Sequence, residues 1–192
     1  MHSNEEIMAI TSKEINSTFA AEITAMPGGE HLNSCFSCGG CSGACPVSQA
    51  IPDFDPRKII HMVRMGLKDK VLNADLLWYC SQCQNCVFVC PQDVRFAEIM
   101  TAIQKMAMKE GIISEQDLRE KGKIAWVERD QCVSCLTCVR VCPFDVPVID
   151  VKGVANIDAA DCRGCGICVS ECPAQAIKQP VSADDKLIAA AG

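Results

Sequence analysis

Every cysteine of the chain belongs to one of four copies of a single spacing, C-x2-C-x2-C-x3-C-P. Thiolates at this spacing, with a proline after the fourth, are the ligands of [4Fe-4S] clusters. The sixteen cysteines therefore predict four such clusters, which exchange electrons one at a time. The four copies are Cys35, Cys38, Cys41 and Cys45; Cys80, Cys83, Cys86 and Cys90; Cys132, Cys135, Cys138 and Cys142; and Cys162, Cys165, Cys168 and Cys172.

The spacing also predicts which thiols share a cluster. Three cysteines on one tight loop can face three corners of a cubane, whereas the fourth, separated from the third by three residues, reaches the cluster of a partner copy. Pairing the copies in chain order then assigns every thiol. The predicted ligand sets are Cys35, Cys38, Cys41 and Cys90; Cys80, Cys83, Cys86 and Cys45; Cys132, Cys135, Cys138 and Cys172; and Cys162, Cys165, Cys168 and Cys142.

Disulfides and zinc are the other uses of many cysteines. A disulfide framework is typical of secreted chains, but the first twenty residues include Glu5, Glu6, Lys13 and Glu14 and predict no secretory signal. Structural zinc takes four ligands, usually from two separated C-x2-C pairs. Zinc would explain neither the third and fourth cysteines of each copy nor the proline. We expect about sixteen iron and sixteen sulfide ions per chain.

The composition indicates which binding partners and which cell compartment suit the chain. The net charge of −6 falls to roughly −14 when four clusters of about −2 each are added. Such a chain is a poor partner for nucleic acid. No apolar run approaches the roughly 20 residues that cross a bilayer, so we expect no membrane span. A reducing cytoplasm suits so many free thiolates. Because the clusters supply folding free energy, we expect the metal-free chain to be largely disordered.

The segments between the cysteines differ in the two halves. Between Cys45 and Cys80, Asp55-Pro56 predicts a helix start, apolar residues recur at helical spacing, and Gly66 predicts its end. Asn73 or Asp75 is expected to cap a second helix through residues 76–78. A third helix should begin after Pro91 and end near Gly111. This half is predicted to be entirely helical.

The second half alternates instead. Residues 123–128 predict a strand, and residues 147–151 and 154–158 predict a hairpin turning at Lys152-Gly153. Residues 174–178 could form a short helix or a strand.

The fold class is therefore α+β, an all-helical two-cluster domain followed by a small α+β two-cluster domain. The predicted boundaries are residues 1–30, an extension with a helix near residues 19–26; residues 31–112, the helical domain; residues 113–122, a charged linker; residues 123–182, the second cluster domain; and residues 183–192, a tail.

Several segments of the first half resemble the C subunit of heterodisulfide reductase. They are F-A-A-E-I at residues 19–23, H-L-N-S-C-F-S-C-G-G-C-S-G-A-C-P-V at residues 31–47, D-P-R-K-I-I-H-M-V-R-M-G-L at residues 55–67 and L-L-W-Y-C-S-Q-C at residues 76–83. The resemblance covers about residues 17–112 and implies an α-helical ferredoxin fold. Residues 123–180 resemble a bacterial two-cluster ferredoxin.

The resemblance implies an electron-transfer subunit without catalytic residues of its own. Its partners would be the catalytic subunit of a reductase complex and further electron-transfer subunits. The family's simple form carries two clusters and ends after the helical domain, so the appended pair leaves the complex open. It could be of the heterodisulfide reductase type or a tungsten-dependent benzoyl-CoA reductase type. A free-standing polyferredoxin is the alternative, and a cluster-based redox sensor is a third hypothesis.

Few other residues suggest chemistry. His2, His31 and His61 lie in no nucleophilic constellation, so no catalytic residue is predicted. The glycines beside Cys38 and Cys165 are expected to let backbone N–H groups approach cluster sulfur. Arg57, His61, Arg64 and Lys68 recur at helical spacing; a solvated face and a docking surface for an acidic partner both fit this pattern.

Overall fold

The computed structural model describes residues 14–180, which are rich in helix and contain two small two-stranded sheets. The chain divides into two compact units, Met1–Ile103 and Gln104–Gly192. The predicted linker at residues 113–122 lies further along the chain than this division. The predicted tail at residues 183–192 and the first part of the N-terminal extension fall outside the described residues.

Most of the helices are short. They are α1 Phe19–Thr24, α2 Gly40–Gly43, α3 Pro46–Ala50, α4 Pro56–Arg64, α5 Lys68–Leu72, α6 Asn85–Phe88, α7 Phe96–Lys109, α8 Glu115–Glu120, α9 Thr137–Val141 and α10 Ile167–Ser170. Single turns of 3-10 helix occur at Leu32–Ser34, Asp75–Tyr79 and Arg129–Gln131. The strands are β1 Trp126–Val127, β2 Pro147–Ile149, β3 Ala155–Ile157 and β4 Ile177–Lys178.

The ends of α4 are confirmed where the sequence predicts them. Asp55 is the N-cap, its carboxylate accepts from the backbone N–H groups of Arg57 and Lys58, and Pro56 opens the first turn. At the other end Gly66 has a φ of +76°. A Cβ there would lie 2.3 Å from the backbone oxygen of Asn16, so glycine alone fits.

The first unit buries a large apolar core around α1, α4 and the start of α7. Phe54 and Phe96 meet edge to face with ring centroids 6.3 Å apart. Lys68 forms a 2.9 Å ion pair with Glu22, which joins α5 to α1. The largest fully buried side chains of this unit are Phe19, Ile23, Leu32, Phe54, Ile60, Leu77, Ile99, Met100 and Ile103.

Two predictions in this unit need correction. Asn73 does not start a helix; it is the C-cap of α5, a helix that the sequence analysis missed. The segment after it is 3-10 helix, and its N-cap is Ala74 without a side-chain hydrogen bond. The 14-residue α7 matches the predicted third helix and buries Ile99, Met100 and Ile103.

The second unit contains both sheets. β2 and β3 pair antiparallel as the predicted hairpin, with Val148 opposite Asn156. Its turn depends on Asp150, whose carboxylate accepts from the backbone N–H groups of Lys152 and Val154, and on Gly153 at a φ of +78°. Residues 177–178 form a strand, not a helix, and β4 pairs antiparallel with β1.

Helix α8 occupies the segment predicted to be an irregular linker. A capping box explains it, because the Ser114 hydroxyl accepts from the Asp117 backbone N–H and the Asp117 carboxylate accepts from that of Ser114. Leu118, the single large apolar residue of the helix, is fully buried.

Candidate metal centres

The four cysteine loops share one backbone conformation. In each loop the residues on either side of the second cysteine have the positive φ of the left-handed region. Alternating right- and left-handed residues form a concave turn with several backbone N–H groups facing inward. These residues are Ser37 and Gly39, Gln82 and Gln84, Ser134 and Leu136, and Gly164 and Gly166.

Five of these eight positions are not glycine, and each such residue costs about 1–2 kcal/mol in this conformation. A chain accepts that cost repeatedly only where the loop shape has a use. The glycines beside Cys38 and Cys165 predicted the approach of N–H groups, whereas nothing in the residue types predicted the left-handed glutamine, serine and leucine residues. Only their position relative to the cysteines could have identified them.

The first loop opens on a cavity that draws on two copies of the spacing. Cys35, Cys38 and Cys41 line it together with Cys90, the fourth cysteine of the second copy. Cys86 also reaches its edge, and side chains of Arg57, Ile60 and Phe96 close it. The structure thus brings together the thiols of the first predicted set.

The thiols of the second copy gather with Cys45. Electrostatic interactions join Cys80 to Cys86, Cys45 and Cys83. Burial raises the pKa of the Cys86 thiol, and the backbone N–H of Ala97, in the first turn of α7, partly opposes that rise.

In the second unit, two further cavities show the same exchange of fourth cysteines. One is lined by Cys132, Cys135, Cys138 and Cys172. The other is lined by Cys162, Cys165, Cys168 and Cys142. Apolar side chains complete both walls, among them Ile177 in one and Phe144 in the other.

Backbone donors already point at several sulfur atoms. The N–H groups of Val94 and Ala176 donate to Cys90 Sγ at 3.4 Å and to Cys172 Sγ at 3.2 Å. Each donor lies four residues after its cysteine, beyond the proline. The Ala125 N–H reaches Cys162 Sγ at 3.4 Å from a distant segment. Such hydrogen bonds stabilise a thiolate and tune a cluster bound to it.

The buried thiols are acids too weak to ionise without a metal. Burial raises the pKa of Cys80 and of Cys168 to about 12 and that of Cys86 to about 11, and neighbouring thiols add to each shift. The pKa of Cys135 is instead lowered by hydrogen bonds from Thr137. Metal binding must therefore displace protons, and a bound cation would compensate the buried thiolates.

The donor sets fit a polynuclear cluster. Among residues 14–180, no three His, Cys, Asp or Glu side chains are grouped closely enough for a single metal ion. A cubane makes a different demand, because each thiolate binds a separate iron atom. Four thiols around an apolar cavity, with N–H donors facing sulfur, meet that demand.

Two polar side chains that the sequence analysis overlooked hold the loops in place. The Ser42 hydroxyl, between Cys41 and Cys45, donates to Asp55 Oδ1 at 2.5 Å and accepts from the Arg57 N–H. Gln179 Nε2 donates to the backbone oxygens of Gly122 and Gly164 at 2.9 and 2.8 Å. The position of Ser42 inside the cysteine spacing could have predicted its role, whereas the sequence has no comparable pattern at Gln179.

Comparisons with known proteins agree with this chemistry. Three segments, residues 31–94, 79–146 and 120–179, match family models described as 4Fe-4S dicluster domains. The match at residues 79–146 covers the second and third copies of the cysteine spacing. The cavities instead pair the first copy with the second, and the third copy with the fourth. The chain therefore binds multiple [4Fe-4S] clusters.

Curated relatives carry one recurring name. The chain is 33% identical over 105 residues to the C subunit of the H(2):CoB-CoM heterodisulfide,ferredoxin reductase of Methanothermobacter thermautotrophicus, covering 55% of this chain and 56% of that one. It is 36% identical over 107 residues to the C2 subunit of the H(2)/formate:CoB-CoM heterodisulfide,ferredoxin reductase of Methanococcus maripaludis, covering 52% and 57%. It is 28% identical over 128 residues to the iron-sulfur C 2 subunit of the CoB--CoM heterodisulfide reductase of Methanocaldococcus jannaschii, covering 67% and 62%.

The chain thus spans little more than half the length of the curated relatives it matches. Within the part of the chain that the structure describes, no helix has both the length and the apolar character to cross a membrane.

Proposed function

We propose that this iron–sulfur protein, which is like the C subunit of heterodisulfide reductase, is non-catalytic and passes single electrons through four [4Fe-4S] clusters within a multi-subunit oxidoreductase. The main support for this proposal is the placement of the cysteines. All sixteen are free thiols, and every one lies on or beside a loop of the same conformation. A chain that commits every thiol to such loops retains none for covalent catalysis.

The ligand sets in this proposal are the four crossed sets predicted from the spacing. Three cavities support three of them, because each is lined by three cysteines of one copy and by the fourth of its partner; the first cavity is also lined by Cys86. The electrostatic contacts of Cys80 support the remaining one.

Each bound [4Fe-4S] cluster supplies one-electron exchange at a potential set by its surroundings. The protein's own residues do the rest. Ile60 and Phe96 exclude water from the first site, and Ile177 does so in the second unit. The N–H groups of Val94 and Ala176 donate to ligand sulfur and raise the affinity of a site for an electron.

No described side chain supports substrate chemistry at these sites. His31 and His61 are exposed, and neither lines the three cavities. In this proposal the catalytic subunit is another chain. The names of the relatives favour a heterodisulfide reductase-type complex. A tungsten-dependent benzoyl-CoA reductase-type complex is the second arm of the proposal, since two appended clusters suit either. A cytoplasmic location belongs to the same proposal.

The experiment is anaerobic purification of the native protein from its own cells, followed by gel filtration, mass spectrometry of the co-eluting chains and analysis for iron, sulfide and tungsten. A subunit should elute in a much larger assembly than its own 20.8 kDa, together with a catalytic chain. Tungsten in the same fractions would identify the second type of complex. Elution as a lone chain with its clusters would instead favour a free-standing polyferredoxin and refute the subunit role.

A further inference from the structure

One exposed face of the helical unit combines large apolar and basic side chains around the first cysteine loop. Phe88 is 85% exposed, Phe36 58% and Val89 44%. The thiol-bearing residue Cys38 is exposed among them. Apolar side chains grouped on a surface and rimmed by polar ones mark interaction sites.

Direct contacts tie the basic residues to this loop. Arg64 Nη1 donates to the backbone oxygen of Cys35 at 2.7 Å, next to Phe36. Arg57 Nη1 lies 3.5 Å from the position that a Cβ on Gly39 would take. The Val89 backbone oxygen lies 3.6 Å from the equivalent position on Gly40. The apolar and basic groups therefore border the same site, that of Cys35, Cys38, Cys41 and Cys90.

The local charge is opposite to that of the whole chain. Arg57, Lys58, His61 and Arg64 are all exposed on α4, in a protein of net charge −6. Within residues 14–180, none of these four side chains forms an ion pair with a carboxylate. The nearby Asp55 carboxylate is occupied by Ser42 and two backbone N–H groups. Arg57, Lys58 and Arg64 thus keep positive charge available at this face, although Asp55 offsets part of that of Arg57 through a Coulombic interaction.

We propose that this first-motif face, formed by Phe36, Arg57, Arg64, Phe88 and Val89, is the docking surface for an acidic redox protein. An apolar centre with a charged rim is the usual anatomy of a protein interface, and the rim charge speeds encounter with a partner of opposite sign. The docked protein, in its reduced form, gives one electron to the cluster at Cys35, Cys38, Cys41 and Cys90. The inference rests on the proposed function, because without a cluster the docked protein would have no acceptor.

Electron-transfer rates measured against ionic strength test this surface. The probe is a purified acidic two-cluster ferredoxin, reduced in advance and mixed anaerobically with the reconstituted full chain in a stopped-flow instrument. Whole-chain charge would repel the probe, so the rate would rise as salt screens the repulsion. Local attraction at the first-motif face predicts the opposite, a rate that falls as salt is added.

Matched variants locate the effect. Arg57→Glu with Arg64→Glu should lower the rate at low salt by about tenfold and abolish its fall with salt. Lys109→Glu with Lys152→Glu changes the net charge equally at two exposed positions elsewhere, and it should keep the wild-type slope. Since Arg64 holds the Cys35 loop, Phe88→Asp provides a second variant at an exposed side chain, with Val151→Asp, fully exposed in the wild type and outside the three cavities, as its control.

Iron content and the visible spectrum of each sample separate this inference from the proposed function. A wild-type rate that rises with salt, equal losses in both double variants, or an unchanged rate in Phe88→Asp would overturn the docking surface while the clusters and their redox activity remained. If the double arginine variant had a lower rate but the same dependence on salt as the wild type, the arginines would act on the cluster and not on docking.

Sedimentation of the same samples tests whether a second copy of this chain occupies the face. A wild-type dimer that dissociates in Arg57→Glu with Arg64→Glu would assign the face to that second copy. Absence of clusters from the wild-type chain would refute the proposed function itself.

Discussion

Two glycines of the fourth loop differ in what surrounds them, although both have a positive φ. Gly166 has room, since a Cβ there would lie 3.7 Å from Gln179 Oε1. At Gly164 a Cβ would lie 2.2 Å from the backbone oxygen of Lys123. Leu136, in the position equivalent to Gly166, shows that a side chain can be accepted in this conformation.

Gly166→Ala should therefore cost about 1 kcal/mol, the penalty of the left-handed conformation alone. Gly164→Ala should cost about 1–3 kcal/mol more, because the backbone of residue 123 must move. The measurement is anaerobic denaturant unfolding of the cluster-loaded protein, followed by the visible absorbance of the clusters. Equal midpoints for the two variants would show that the 2.2 Å approach does not matter to stability.

The crossed ligand sets predict how cysteine substitutions combine. Cys35→Ala and Cys90→Ala should damage the same cluster, so the double variant should lose about four irons. Cys86→Ala with Cys90→Ala should damage two clusters and lose about eight. Iron analysis and electron paramagnetic resonance of anaerobically reconstituted protein distinguish the two cases. If Cys90 instead served its own copy, the two double variants would exchange their results.

At the scale of the elements, hydrogen bonds to the Asp55 carboxylate join α4 to the first cysteine loop. Partial burial would raise the pKa of Asp55, but hydrogen bonds from Ser42 and from the Lys58 and Arg57 N–H groups outweigh it and lower that pKa. A carboxyl whose pKa is lowered on folding stabilises the protein above its unfolded pKa of about 4, and the contribution is lost as the pH falls through the folded value.

Asp55→Asn keeps a side-chain oxygen for the cap but removes the negative charge at the helix N-terminus, so it should destabilise the helical unit by about 0.3–1 kcal/mol. The difference from wild type should stay constant between about pH 7 and pH 5, because Asp55 remains ionised throughout that range. Asp53→Asn, at an exposed neighbouring carboxylate, is the control and should have little effect. Anaerobic unfolding midpoints at several pH values provide the measurement, and a difference that shrinks already at pH 5 would contradict the lowered pKa.

The same elements show what sequence patterns could and could not predict. Pro56 and Gly66 mark both ends of α4 because each residue has a backbone preference that its neighbours cannot override. The apolar spacing of Ile99, Met100 and Ile103 predicted α7 for the same local reason. Helix α5 has only five residues, too few to show a helical repeat, and its ion pair between Lys68 and Glu22 joins residues distant in the sequence. The capping box that starts α8 at Ser114 is instead visible in the sequence.

At the scale of the whole molecule, the two units depend on their clusters to different degrees. Cys45 and Cys86 are buried in the first unit, but its fully buried Phe19, Ile23 and Phe54 form apolar packing that lines none of the three cysteine cavities. In the second unit the core around Ala125, Ala155 and Ile177 includes two of the proposed ligand cysteines, Cys138 and Cys168. Removing iron would therefore leave these core side chains without the cluster they pack against, and the strands, of two or three residues each, have little other core to bury them.

Iron removal from the full chain should therefore unfold the second unit more completely than the first. After anaerobic chelation, hydrogen exchange read by mass spectrometry should find the amides of β1 to β4 at unfolded rates, whereas α1 and α4 keep measurable protection because Ile23, Ile60 and Val63 remain buried. Circular dichroism should show a helical signal that is reduced but present. Rebuilding the clusters with iron and sulfide should restore protection in both units, which establishes that the loss is not irreversible damage. Equal loss in the two units would mean that the apolar core of the first unit, despite its buried aromatic residues, cannot hold helices without the clusters.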